Sequence, residues 1–256
     1  MTKLLVGAIA LAVIVTVGMA QKKSSPKGLT TPPQATEEVS HEGVKTPEQV
    51  EHSKLYKEFK KSKSLRELTS AGDVRFLQPP PLYGGDPLAP PFVLADFLRK
   101  SACDSDAVLV GRIKEKAAFL TDDESFIFSD HAVAVEEVFQ ANPAARLEPG
   151  DLVTVTRPGG KIRLKNGRTA EIAYADFEPF RAGERYVFFL RYVPSTRGYQ
   201  VKEGARAFLL RDDRVFKRTG QHLGAQLDTM DESSFLNEVR HSVGGGCAEK
   251  GGQGNE

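Results

Sequence analysis

The sequence has no excess of charge of either sign: 35 Lys and Arg stand against 34 Asp and Glu, a formal net charge of +1 over 256 residues. Without a global field nothing draws the chain onto nucleic acid or acidic polymers, so no nucleic-acid partner is expected. Cysteine is scarce as well. The two present, Cys103 and Cys247, lie in no Cys-x-x-Cys, which argues against structural zinc. The five histidines, His41, His52, His131, His222 and His241, have neither His-x-His nor His-Glu-x-x-His spacing, so no metal site is expected. No Gly-x-Ser-x-Gly elbow precedes a helix, and Gly159-Gly160-Lys161 lacks the glycine spacing of a phosphate loop. No catalytic residue and no cofactor are signalled, and binding is a better expectation than catalysis.

One long apolar run is present. Lys3 precedes an uncharged stretch from Leu4 to Val17, followed by Gly18-Met19-Ala20, the layout of a secretory signal peptide with cleavage before Gln21. The competing expectation is an uncleaved anchor holding the chain to the membrane through residues 4–17, a run near the minimum for spanning. Lys22, Lys23 and Lys27 follow the run, and positive charge there disfavours translocation. The expected location is periplasmic or extracellular. In such surroundings Cys103 and Cys247 are candidates for a disulfide that clips the C-terminal tail to the start of the folded domain. The alternative is a free or intermolecular thiol at Cys247, which follows Gly244-Gly245-Gly246.

The chain divides by composition. Residues 1–20 are the signal or anchor, and 21–46 a disordered spacer too poor in large apolar residues to fold alone. Thr46-Pro47-Glu48-Gln49 then starts a helix over 47–63, with Thr46 as N-cap, Pro47 in the first turn and Gln49 closing a capping box. Leu55, Tyr56 and Phe59 give it a thin apolar stripe. Lys54, Lys57, Lys60, Lys61 and Lys63 make it basic, so it either rests on an anionic membrane or docks on the domain; the stripe is too thin for strong insertion. Residues 64–91 read as a Pro-rich linker, and 244–256 as a Gly-rich tail.

Residues 92–243 carry the folded domain. Val93, Leu94, Phe97 and Leu98 recur at helical spacing, and Asp231 to Val243 repeats the pattern with Phe235, Leu236 and Val239. Between these helices lie short strand-like runs, 107–113, 126–139, 152–156, 162–164, 171–174, 186–193, 199–201, 207–210 and 215–217. Pro158-Gly159-Gly160, Asn166-Gly167 and Asp212-Asp213 supply turns between them. Gly111 inside the first run suggests a bend or a close backbone approach. In the second run Phe126 and Phe128 are even but Val133 and Val135 odd, which predicts a bulge near Asp130-His131. Strands at this spacing predict a mainly β fold, an OB-like barrel with flanking helices, placed after the signal segment and flexible spacer.

The order Cys103, Ala107-Val108-Leu109-Val110-Gly111-Arg112-Ile113, Val133-Ala134-Val135-Glu136-Glu137-Val138-Phe139, Pro158-Gly159-Gly160 and Gly183-Glu184-Arg185-Tyr186-Val187-Phe188-Phe189-Leu190 resembles the netrin-like, tissue-inhibitor-of-metalloproteinase-like OB barrel. Similar blocks occur in secreted bacterial proteins. The resemblance implies a barrel used for protein or ligand contacts. The animal inhibitors insert a mature N-terminal cysteine into the protease. Cys103 lies far beyond the cleavage site, so an envelope protease inhibitor of this kind would need another mechanism.

The expected function is that of an exported, non-enzymatic binding module whose partner is an envelope or extracellular protein or an acidic ligand. Its candidate surface is a basic ribbon of Arg157, Lys161, Arg163, Lys165 and Arg168, with no acidic neighbour in sequence until Glu171. Lys161, Arg163 and Lys165 fall on one face by strand alternation. A solubilising face or edge protection by Lys is the plainer account. Asp122-Asp123-Glu124 with Asp130 lacks the loop grammar of a calcium site and reads as a solvated turn. The alternative function is a hydrolase assembled from distant loops, with Asp130 and Glu184 as candidate acids. It would put His131 within hydrogen-bond reach of a carboxylate and of a Ser or Cys in one open cleft.

Overall fold

The computed structural model describes residues 39–59, 63–78, 93–174, 179–201, 206–217, 227 and 230–247, all within one compact unit, residues 37–256. The expected signal segment and most of the spacer lie outside the described residues. Among those described, no helix is long and apolar enough to cross a membrane. The fold is mainly β.

The main sheet uses β3 (Ala107–Leu120), β4 (Ile127–Gln140), β5 (Leu152–Pro158), β8 (Arg185–Val193), β9 (Gly198–Gln200), β10 (Ala207–Arg211) and β11 (Arg214–Lys217). Five of them close into a ring: β3 pairs with β4, β4 with β5, β5 with β9, β9 with β8, and β8 again with β3. The pair β5–β9 is parallel and the other four antiparallel. The ring is not a clean barrel, because β8 divides its second edge. Its first half pairs with β10, and only Arg191 to Val193 reach β9. The β10–β11 hairpin turns at Asp212-Asp213, both at positive φ, as a tight hairpin of this hand requires.

Long strands bend round so small a ring through bulges. Ile113 faces Val133 and Glu115 faces Ala132, leaving Lys114 unopposed; further shifts leave Glu136 and Phe139 as extra residues on β4. Gly111 sits at this bend because a Cβ there would lie 2.4 Å from Val133 Cγ1. The bulge expected at Asp130-His131 is absent: β4 pairs with β5 in unbroken register from Phe128 opposite Pro158 to Ala134 opposite Leu152. Apolar residues of both parities occur because both faces are covered. His131, Val133 and Val135 share the parity that meets the ring interior, where Val133 and Val135 join Leu109, Val155, Tyr186 and Phe188. Phe126 and Phe128 instead pack outside the ring on Tyr56 and Phe59, with ring centroids 5.5 Å apart for Tyr56–Phe128 and 4.8 Å for Phe59–Phe126.

That outer packing belongs to a second layer. A four-stranded sheet of order β1-β6-β7-β2 uses β1 (Ser40–His41), β2 (Val74–Gln78), β6 (Gly160–Arg163) and β7 (Thr169–Tyr174). It is accompanied by α1 (Pro47–Lys54), a 3-10 turn at Lys57–Phe59 and α2 (Leu65–Leu68). The capping box forms: the Gln49 N–H donates to Thr46 Oγ1 at 3.3 Å, and the Thr46 N–H donates to Gln49 Oε1 at 2.8 Å. The helix ends at Lys54, earlier than 63, and its apolar stripe is spent on the domain, with Tyr56 fully buried. Two boundaries move. Residues 39–46 are not all spacer, since β1 pairs in parallel with β6. Nor is 64–78 linker, since Leu65 is fully buried and β2 pairs in parallel with β7. Residues 79–92 lie outside the described residues.

On the opposite side α3 (Leu94–Cys103) and α4 (Glu232–Gly244) cover β3, β8 and β10. Leu98, Ala102, Phe235 and Val239 pack there on Val108, Val110, Phe189 and Phe208. Asp231 caps α4 by accepting from the Ser234 N–H at 2.8 Å.

Candidate functional site

The expected basic ribbon divides in space. Along β6 and the turn after it, alternation holds: Ile162 and Leu164 are buried, while Arg163 and Lys165 are exposed and Lys161 half-buried. Arg168 is exposed beyond the Asn166-Gly167 turn. The ribbon has acidic neighbours that sequence distance concealed. Antiparallel pairing sets Lys161 opposite Glu171, with Nζ 4.0 Å from the carboxylate, and Glu42 accepts the Lys165 backbone N–H at 2.9 Å. Arg157 is not part of it. The chain reverses at Gly159-Gly160, both in the left-handed φ range, so Arg157 stays on β5, only 4% exposed, its guanidinium 5.1 Å from the Phe180 ring centroid.

Arg157 instead lines a cavity of about 270 Å³ where the second and third strands of the ring, β4 and β5, meet β7 and β2. Its chemistry comes from Arg75 of β2, Lys116 of β3, His131 of β4, and Glu171 and Tyr174 of β7. Among the described residues the lining carries Arg75, Lys116 and Arg157 together with Glu171, which is bonded to Arg75 at 3.0 Å. Close packing shapes the wall: Ser129 Oγ donates to the Gly159 carbonyl at 2.7 Å, and a Cβ on Gly160 would lie 2.3 Å from that hydroxyl.

Two buried polar atoms on the lining residues have no hydrogen-bond partner among the described groups, His131 Nε2 and the Tyr174 hydroxyl. Burial pushes the Tyr174 phenol up to about 12, so it stays protonated and able to donate. His131 is fully buried. Its Nδ1 lies 3.3 Å from the Val155 carbonyl, which only accepts, so the proton sits on Nδ1 and Nε2 presents a lone pair. Burial first, then the charges of Arg157 and Lys116, hold the imidazole well below its ordinary 6.5.

That depression makes stability depend on pH. Above 6.5 His131 is neutral both folded and unfolded, and its contribution is complete. Below 6.5 the unfolded chain takes up a proton that the folded chain refuses, so stability falls by about 1.4 kcal/mol per pH unit until the folded value is reached. Urea unfolding should show stability lower by about 1.4 kcal/mol at pH 5.5 than at pH 7.5 on this account, and His131→Phe should remove about that difference. Equal slopes in the two proteins would contradict the assignment.

Among the described residues, His131 is not the histidine that reaches a carboxylate. His52 is, on α1: Nδ1 lies 3.0 Å from Asp130 Oδ2 and Nε2 3.0 Å from Thr196 Oγ1. The order carboxylate, imidazole, hydroxyl is that of a nucleophilic triad, but the setting differs. His52 is fully buried and does not line that cavity, and the Thr196 hydroxyl is engaged in its own turn, with the Val193 carbonyl at 3.3 Å and the Gly198 N–H at 3.2 Å. Beside it, the Tyr56 hydroxyl is 3.1 Å from Thr156 Oγ1, and burial drives the phenol far above its ordinary range. This polar seam joins α1 to the ring. Sequence reading passed over His52 because its partners are 78 and 144 positions away.

The other candidates have structural duties. Cys103 and Cys247 are bonded to each other, with Cα atoms 5.4 Å apart, tying the end of α3 to the residues just beyond α4. Asp122 pairs with Lys45, and Asp123 accepts from the Thr121 and Ser125 hydroxyls at 2.7 and 2.8 Å. Glu124 binds Arg66 at 2.7 Å, and Glu184 is bonded to Tyr186 and Arg211. His41 and His241 are exposed, and His222 lies outside the described residues. No family model and no curated protein matches this chain.

Proposed function

We propose that this chain is an exported, non-enzymatic binding module built on an OB-type barrel, taking an acidic ligand at the cavity between β4, β5 and β7. The cavity carries this reading: Arg75 of β2, Lys116 of β3 and Arg157 of β5 line one space beside Tyr174, a concentration of basic side chains suited to recognition more than to packing. Support for the barrel comes from strand order. Numbered in chain order and read round the ring, the strands run first, second, third, fifth, fourth and back to first, with the single parallel pair between third and fifth. A partly open five-stranded barrel is the OB architecture, and its second and third strands form the usual binding face. The netrin-like resemblance and the apolar run at residues 4–17 point the same way, toward an exported domain used for contacts.

The reading is tested on the mature chain purified from the cell envelope or medium, whose N-terminus mass spectrometry should read as Gln21. A thermal-shift panel of small anions and acidic oligosaccharides should yield a stabilising ligand that is recovered chemically unchanged. Lys116→Met should remove the shift, and K161E/R163E/K165E should leave it. Conversion of the ligand would overturn the non-enzymatic reading. A shift lost only on reversing the ribbon would move the site to that surface.

A further inference from the structure

The second sheet buries one face on the ring and turns the other outward. Ile162 of β6 and Ala170 and Ile172 of β7 are buried, so alternation sends their neighbours out: Lys161 and Arg163 on β6, Thr169, Glu171 and Ala173 on β7, and Arg75 and Leu77 on β2. Register sets them in rows. Arg163 stands beside Thr169, Glu171 stands between Lys161 and Arg75, and Ala173 stands beside Leu77. The middle strand β7 carries short side chains at both ends of this run, while β6 and β2 on either side carry long ones. A trough results along β7, its walls about 10 Å apart, two strand spacings. Its charge is one-sided. With Lys165 and Arg168 in the turn after β6, five cations meet two carboxylates, Glu171 and Asp73, and the nearby Glu42 is bonded to Arg66. Arg163 is exposed and has no ion-pair partner among the described residues, and the Arg75 side chain stays 68% exposed in its pair with Glu171.

We propose that this trough is a docking surface for an extended acidic segment of a partner protein, laid along β7 with its carboxylates against Arg75, Lys161 and Arg163. Spacing favours that occupant. An extended chain returns side chains to one face at every second residue, about 7 Å apart, the same interval that separates Lys161 from Arg163 along β6. Depth favours it as well, because the Lys161 and Glu171 side chains are only 31% and 18% exposed, within reach of a narrow chain but recessed from a flat membrane. Leu77, 64% exposed at the end of the trough, offers an apolar contact that a peptide can use and a sulfated glycan cannot. The surface is distinct from the cavity as a small-anion site, since Lys161 and Arg163 lie outside its lining.

The test uses two labelled peptides of one composition, glutamate and threonine, with glutamate at every second position in one and gathered in a single block in the other. Fluorescence anisotropy on the full mature chain at low salt should show the alternating peptide binding about tenfold more tightly, the combined effect of three weak exposed ion pairs. Added salt should weaken both. R75Q/K161Q/R163Q should remove the difference, with urea unfolding to show that the fold is kept. Arg163→Gln alone, which breaks no ion pair among the described residues, should weaken the alternating peptide about twofold. Lys116→Met should leave peptide binding unchanged, which separates this surface from the cavity. No binding of the alternating peptide, equal affinity for the two peptides, or a difference that survives in R75Q/K161Q/R163Q would overturn the docking surface and leave the cavity reading standing. Heparin or phosphatidylglycerol vesicles that bind more tightly than the alternating peptide, and lose binding in the same variant, would overturn the peptide as its occupant.

Discussion

Reduction of the Cys103–Cys247 bond is expected to lower the unfolding free energy by about 5 kcal/mol, the chain-entropy value for a closed loop whose ends are 144 residues apart. The loop contains all the strands of the ring and the whole of α4, so opening it frees the unfolded state without removing a contact from the apolar core. For a domain of this size that is a fall of about 10–20 °C in Tm. Cys247 is exposed, so a reductant has access to the bond. Urea unfolding of the wild type with and without reductant, and of C103S/C247S, measures the effect. Coincident transitions would show that the bond constrains nothing. A large effect would also make the fold depend on an oxidising compartment, which ties stability to the proposed export.

The second large effect is expected at the seam between α1 and the ring. His52→Ala should cost about 3 kcal/mol, because it strips the donor from a carboxylate that is almost wholly buried and whose other oxygen, Asp130 Oδ1, has no hydrogen-bond partner among the described groups. The loss is more than one hydrogen bond, since the desolvation of Asp130 is then uncompensated. Asp130→Ala should cost a similar amount. The double variant should cost clearly less than the sum, because removing both partners leaves no stranded charge. Strict additivity would mean that the two side chains do not act on each other. The same set distinguishes a clamp from a concealed nucleophilic site: a clamp predicts loosening of α1, seen as faster hydrogen exchange over residues 47–54.

How much of this was legible in the chain depends on the range over which each signal acts. Thr46 with Gln49 forecast the capping box, and Asp212-Asp213 and Gly159-Gly160 forecast reversals, because each is chemistry among residues a few positions apart. The strand periods were legible for the same reason. Two errors share a cause. The parity change between Phe128 and Val133 was read as a bulge because one covered face was assumed, whereas Tyr56 and Phe59 cover the other face. Residues 64–78 were read as linker because α2 and β2 are too short to show a period of their own. They are held by partners far along the chain, as where the Leu65 N–H donates to the Glu124 carbonyl at 2.8 Å.

By itself, then, the sequence determined the local elements, the outward set of Arg163 and Lys165, the absence of a charge excess and the availability of a cysteine pair. Tertiary structure alone decided what those elements bring together. Arg157 looked like a member of the ribbon four positions away, yet a turn between two strands sends it into the cavity, and Arg75, Lys116, His131 and Tyr174 meet it there from four further strands. Asp130 and His131 are adjacent in sequence and serve opposite faces, one clamped to α1 and the other turned to the ring interior, because neighbouring side chains on a strand point apart. Alternation of this kind is written into any strand, but which neighbour fills each side is set by long-range pairing, to which no local pattern of residues corresponds.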